Sequence, residues 1–418
     1  MNTIVVVGGG IAGDEAAKMA KKQAPGDRVV LITEEPHPLY SACVLADYVC
    51  NEIPLEQVFL RGIEEYREMG IESLTGAPVQ TWSPERKALG LPDRELTYDK
   101  LILATGSRPF IPPLPGAVLE GVVPLKTLED AEKIRRTQGS SAVVVGSGPV
   151  GIEAALALRE LGWNVTIVEL MARVLPRVFD EPLATLCVEH LKKAGVQVLI
   201  GEKVLEILGD TQVTGVRTDR RTLDAELAVM VVGMRPEVSL AKAAGLEIGP
   251  LGGIVVDDAM ATSAADVWAC GDCVETVDRL TGKRAPYMLW NNARLQGRVA
   301  GSNAAGGESR YGGSLNITTV GFTDQSGASV GYLAADLPEG ETKMVHRTGH
   351  DGAMTLVLRD GRLVGAQVMG RTERIGALMA LILSGGDLKQ SLREPKTAKQ
   401  AREGWQLRGL RRELAELL

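Results

Sequence analysis

The chain is poor in cysteine, in positive charge and in long apolar runs. It has five cysteines in 418 residues, an odd number without a repeating spacing. That excludes a disulfide framework and fits a reducing compartment. Lys and Arg number 46 against 53 Asp and Glu, which leaves a net charge of −7 and a pI near 5.4. A nucleic-acid partner would call for a basic face, so that class is set aside. The longest apolar runs, LAVMVVGM and GALMALIL, fall far short of the roughly 20 residues of a membrane helix. The opening MNTIVVVGGG begins an apolar strand within four residues and shows no basic leader. No secretory signal is therefore expected, and the cytoplasm is the expected compartment.

Glycine, by contrast, is abundant at 48 residues, a hint of tight phosphate-binding turns. The chain is 45% apolar and 24% charged with mean hydropathy near zero, the profile of a soluble globular protein. Its length fits two or three domains.

TIVVVGGGIAGDEAAKMAKK reads as an apolar strand, a turn Gly8-x-Gly10-x-x-Gly13, and a helix. The first glycine permits the tight turn and the second lets the backbone approach a pyrophosphate. The third allows close helix–strand packing, while the helix N-terminus presents free N–H groups to the anion. Ile11 and Ala12 lie inside this turn. A second strand, RVVLIT, leads to Glu34, 21 residues past Gly13, where a carboxylate can hold the hydroxyls of an adenosine ribose. One such turn is weak evidence. The unit recurs in SAVVVGSGPVGIEAALALRELGWNVTIVEL, with Gly146, Gly148, Val150 and Gly151 in the turn and Glu169 as the acid. Two units imply two dinucleotides. Glu169 would accept from a 2′-hydroxyl and repel a 2′-phosphate, so NADH is preferred over NADPH, although Arg173 and Arg177 follow closely.

Two further segments fit this scheme. YDKLILATGSRPFIPPLPG (98–116) runs a strand into Ala104-Thr105-Gly106, and DVWAC ends a strand at Gly271-Asp272. With these motifs in this order, the chain resembles the two-dinucleotide-binding-domain flavoproteins, the pyridine nucleotide–disulfide oxidoreductase superfamily, to about residue 390. The resemblance implies that the first turn binds FAD, with Val79, Ala104, Thr105 and Gly106 beside it and Asp272 on the ribityl chain. WNNARLQGRVAGSNAAG (290–306) is similar to the helix whose N-terminus faces the flavin, which places Ala293 there. The second turn then binds NAD(H), and Gly233 in VVGMRPE belongs to that site. Glu153 falls where the family keeps an acid near the nicotinamide; otherwise it is a first-turn acid stabilised by the helix dipole.

The expected fold is α/β: two Rossmann-like, three-layer ββα nucleotide-binding domains and a small α+β C-terminal domain. The FAD domain is expected at 1–115 and 250–313, and the NAD(P)H domain at 116–249. A small domain over 314–395 should contain a hairpin at Asp360-Gly361. The 396–418 tail reads as an amphipathic helix that packs on its own domain or docks a partner.

The cysteines separate the functional readings. The disulfide reductases carry Cys-x4-Cys after the first acid, and here Cys43 and Cys50 are seven apart. SACVLADYV resembles in part the single-cysteine branch of NADH oxidases and coenzyme A–disulfide reductases, with Cys43 at the redox position. The alternative is a small side chain lining the flavin pocket. Cys270 and Cys273 straddle Asp272 and have no second Cys or His pair beside them, so no metal is expected. The leading expectation is an FAD-dependent NADH:acceptor oxidoreductase whose partner is an iron–sulfur or rubredoxin-like carrier or a complex subunit. A single-cysteine oxidase or persulfide reductase using Cys43 is the alternative, and a non-catalytic redox sensor a third. A homodimer is left open.

Overall fold

The computed structural model describes residues 1–338, 340–349, 352–386, Leu388 and Leu414. The expected 396–418 tail helix therefore lies outside the described residues, apart from Leu414, which is helical and buried. By internal packing the chain forms two compact units. One comprises Met1–Val44, Ile53–Pro109 and Met234–Leu315; the other comprises Leu45–Glu52, Phe110–Gly233 and Asn316–Leu418. The fold is mixed α/β, with a parallel sheet in each unit.

The first unit is built on a five-stranded parallel sheet in the order Val267–Ala269, Lys100–Leu103, Thr3–Val7, Arg28–Ile32, Ile71–Leu74. Thr3–Val7, Arg28–Ile32 and Lys100–Leu103 are largely Val, Ile and Leu because a parallel sheet is buried on both faces. Ile4, Val5 and Val6 are fully buried. Burying each such side chain contributes about 1.5–3 kcal/mol. Helix Ile11–Gln23 leaves the first strand through Gly8–Gly10 and packs along helix Trp290–Ala304. A three-stranded antiparallel sheet, Thr81–Ser83, Ala88–Gly90 and Glu95–Thr97, completes the layers.

The second unit repeats this plan. Its parallel sheet has the order Gln197–Ile200, Asn164–Glu169, Ser141–Val145, Leu227–Met230, Val122–Val123. Helix Pro149–Glu160 follows the central strand, and Val204–Leu208, Gly215–Thr218 and Thr222–Asp224 form the small antiparallel sheet. The helix over Leu45–Val49 buries Leu45, Ala46, Tyr48 and Val49 against helices Leu128–Arg136 and Pro149–Glu160 of this unit. Arg135 stacks 4.5 Å from the Tyr48 ring and donates to its carbonyl, and the Tyr48 hydroxyl donates to Glu132.

The unit continues into an antiparallel sheet in the order Ile317–Gly321, Ser326–Gly331, Arg362–Gly370, Gly352–Arg359, Lys343–Gly349, with helix Arg374–Ser384 on it. Asp360 and Gly361 both take positive φ, 49° and 75°, as the two-residue turn of that hairpin demands. Asp180 ties this sheet to the preceding fold. It is buried and accepts from Gln367 Nε2 at 2.6 Å and from the Ala334 amide at 3.0 Å.

Candidate functional site

The glycines of the first turn do two different jobs. Gly8 holds φ +120°, and a Cβ there would overlap the Ala104 carbonyl; one on Gly13 would overlap the carbonyl of Gly8. These two glycines are needed for close packing of the chain on itself. Gly10 is different. Its backbone is ordinary, with φ −73°, and a Cβ there would meet nothing within 4 Å. Gly10 is also the N-cap of helix Ile11–Gln23, and no side chain caps that end. Open space before an uncapped helix N-terminus fits a diphosphate, whose charge the dipole and amides favour.

The other first-site residues gather around that turn. Ala104 is buried, the Thr105 hydroxyl donates to the Glu237 carbonyl at 2.6 Å, and Gly106 turns the chain at φ +73°. Gly271, at φ +84°, brings its neighbour Asp272 to the same place, since a Cβ on Gly271 would lie 2.8 Å from Ala12 Cβ and 3.9 Å from Ala293 Cβ. Asp272 accepts from Ser107 Oγ at 2.8 Å. Ile11 and Val79 pack, partly buried, on the core of this unit. Glu34 stands in solvent two residues past the strand end at Ile32, with Arg108 3.5 Å away.

In the second unit Gly146, at φ +104°, abuts the Val231 carbonyl, while Gly148 is again an uncapped N-cap with open space where a Cβ would go. Gly151 sits against Gly146 as Gly13 does against Gly8. Val150 is exposed, and Gly233 at φ +127° has open space on its Cβ side. The two acids are not equivalent, however. Val145 pairs with Val168 as Val7 pairs with Ile32, so Glu169 matches Thr33 and not Glu34. Glu169 is buried and accepts from Ser147 N at 2.8 Å, Ser147 Oγ at 2.6 Å and Met171 N at 2.8 Å. Arg173 turns away from it, donating to the carbonyls of Phe179 and Pro176 at 3.0 and 3.1 Å.

Glu153 sits in the second turn of helix Pro149–Glu160, where the Gly321 amide donates to it at 3.4 Å. Burial pushes its carboxyl up to about 7; the Gly321 bond opposes this and the charge of Asp47 adds to it. A carboxyl titrating near neutrality suits proton exchange.

The cysteines fall into three environments. Cys43 lies exposed in the short turn Ala42–Val44, which a Ser41 amide to Val58 carbonyl bond of 2.9 Å anchors. Cys50 is half-buried and donates to the Asp47 carbonyl; burial pushes its thiol up to about 11, the Glu52 backbone bond opposing the shift and Glu160 adding to it. Its Sγ and carboxylate oxygens of Glu52 and Glu160 lie within 4.8 Å of one another. Cys187, Cys270 and Cys273 are buried, and burial raises all three thiols.

Two features escaped the sequence reading. Asp14, fully buried, accepts from Arg61 Nε at 2.8 Å and from the Tyr66 hydroxyl at 2.9 Å, and pairs with Lys18 at 2.9 Å. Its neighbour Glu15 meets Arg298 at 2.6 Å. Nothing local marks either acid, and only the three-dimensional return of Arg61 and Arg298 reveals them. Ser147 is the second, since a serine between two turn glycines carries no signal by itself. No helix among the described residues is long and apolar enough to cross a membrane.

Known proteins agree with this geometry. A "NADH oxidase" of Methanocaldococcus jannaschii is 32% identical over 405 residues, covering 90% of each chain. The "Nitrite reductase [NAD(P)H]" of Bacillus subtilis is 31% identical over 93% of this chain, which spans 48% of that protein. A solved NAD-dependent persulfide reductase from A. fulgidus superposes with a TM-score of 0.89 at 30% identity, over 94% of this chain and 79% of the other. Residues 2–297 match the family described as pyridine nucleotide-disulphide oxidoreductase. An uncapped glycine turn at the head of each parallel sheet is what such enzymes require for FAD and NAD(H), and the chain belongs to that family of oxidoreductases.

Proposed function

We propose that this chain is an NADH:acceptor oxidoreductase that exchanges electrons with a protein partner, an iron–sulfur or rubredoxin-like carrier or another subunit. In this reading residues 1–115 and 250–313 hold FAD at Gly8–Gly13, Glu34, Val79, Ala104–Gly106, Asp272 and Ala293. Residues 116–249 hold NAD(H) at Gly146–Gly151, Glu169 and Gly233, with Glu153 beside the nicotinamide. When bound, FAD would take the hydride of NADH and release its electrons to the acceptor. The protein's contribution is to hold, orient and exclude water.

The observation that carries this reading is the thiol inventory. Of the five cysteines Cys43 alone is exposed, and Cys50 is a poor partner for it because burial holds its thiol near 11. A thiolate is the reactive form, so a Cys43–Cys50 dithiol is disfavoured. The likeness to one half of a nitrite reductase supports transfer to an acceptor outside this stretch of chain.

A second reading rests on the exposure of Cys43 and the likeness to a persulfide reductase: Cys43 would attack a disulfide or persulfide sulfur as thiolate. One experiment separates the two. Cys43→Ser is assayed for NADH-driven dye reduction and for coenzyme A–disulfide or persulfide reduction. Partner transfer predicts that dye reduction survives. If both activities collapse while FAD stays bound, that reading is wrong.

A further inference from the structure

The chain contains the same turn twice, and the middle residue differs: Gly9 in the first, Ser147 in the second. In both units this residue faces the end of the neighbouring strand. A Cβ on Gly9 would lie 2.7 Å from Thr33 Cβ, so the first turn has no room for a side chain there. In the second unit the matching position is Glu169, the last residue of its strand, and the Ser147 side chain reaches it.

The residue that each middle position meets differs as well. At the matching place in the first unit Thr33 closes against Gly9 and offers no carboxylate, whereas Glu169 is a buried acid held by Ser147. A carboxylate offers about four acceptor positions. Ser147 N–H and O–H occupy two on Oε2, and the Met171 amide occupies one on Oε1. One position on Oε1 is left for a ligand. Charged-acceptor hydrogen bonds of this kind are roughly twice as strong as neutral ones, so they fix the group in place.

We propose that Ser147 is a positioning residue for nucleotide choice: it pins Glu169 against the phosphate turn with one oxygen held back for the ribose. The remaining oxygen accepts a 2′-hydroxyl, and the fixed negative charge rejects a 2′-phosphate. Arg173, which could have offset that charge, spends its guanidinium on the carbonyls of Phe179 and Pro176. Swinging the acid aside to admit a phosphate means breaking both Ser147 bonds, and a buried acceptor stripped of its donors is costly. This inference rests on Gly146–Gly151 being the NAD(H) turn.

The test measures dissociation constants for NAD+ and NADP+ by calorimetry on the FAD-loaded protein, with KM for NADH and NADPH alongside. Ser147→Ala should lower the preference for NAD+ over NADP+ about tenfold. Ser147→Gly, which restores the residue of the first turn and keeps the amide bond, should do the same if the alanine variant folds poorly. In a Glu169→Gln background the serine change should move the preference no further, because it acts through that acid. A loss of affinity equal for both nucleotides would mean a merely structural turn residue and would overturn the proposal, as would additive effects in the double variant. A wild-type protein that binds neither nucleotide defeats the underlying assignment instead.

Discussion

Gly297 lies against the main chain of Ala12: a Cβ on Gly297 would overlap the Ala12 carbonyl, and Gly301 meets Ala16 in the same way one turn along. Two helices thus approach through bare backbone at the very turn that begins with Gly10. Gly297→Ala must force them apart. Overpacking of this kind costs about 1–3 kcal/mol. The thermal midpoint should fall, and the ratio of bound flavin to protein, read from visible absorbance, should fall with it. Unchanged flavin content would break the link between this contact and the first turn.

Asp14 is a buried electrostatic centre of that unit. Its buried carboxylate satisfies Arg61, Tyr66 and Lys18 together, and burial with the Asp14 charge pushes the Tyr66 phenol up. Removing one partner of a buried charged network costs about 3–5 kcal/mol; here the Tyr66 hydroxyl loses its acceptor, while Arg61 and Lys18 are left with Glu65 and Glu15. Asp14→Ala should therefore lose stability on that order in urea unfolding. A loss under about 1 kcal/mol would show that water reaches Arg61 and compensates.

Glu153 predicts a pH dependence with a definite sign. Its folded pKa, raised to about 7, lies above the usual carboxyl value, so the protonated form is the one the fold favours. Its stabilising share is complete below about 4.5 and is lost as pH rises through about 7. Glu153→Gln should gain stability relative to the parent between pH 5 and pH 8 in urea midpoints. A constant difference across that range would mean the side chain is hydrated.

Thiol labelling tests the cysteine environments. Iodoacetamide at pH 7.5 should modify one cysteine in the native protein, Cys43, because Cys50 with a thiol near 11 presents a thiolate fraction of about 0.03%. Peptide mapping that finds Cys50 modified as fast as Cys43 would contradict this.

The sequence displays the scaffold more openly than it displays the site. A strand, Gly-x-Gly-x-x-Gly and a helix are local, so Gly8–Gly13 and Gly146–Gly151 are visible in one dimension. Asp360-Gly361 is visible for the same reason, since a two-residue turn needs positive φ at both positions. What hides is whatever depends on a residue arriving from elsewhere. Each glycine turn is followed by an acid near the end of the next strand, yet strand register puts Glu169 opposite Ser147 and leaves Thr33, not Glu34, in the matching place. Arg61 reaches Asp14 across 47 residues, and Gln367 reaches Asp180 across 187. No local pattern encodes such pairings.

The eight residues Leu45–Glu52 have a practical consequence for anyone dissecting this polypeptide. They sit within the sequence of the first unit but supply Leu45, Tyr48 and Val49 to the core of the second. A first unit expressed alone, with Met1–Pro109 joined to Met234–Leu315, would carry an orphaned greasy hook, and a second unit expressed without Leu45–Glu52 would have a hole where that hook belongs. Separate expression of either unit calls for transplanting those eight residues.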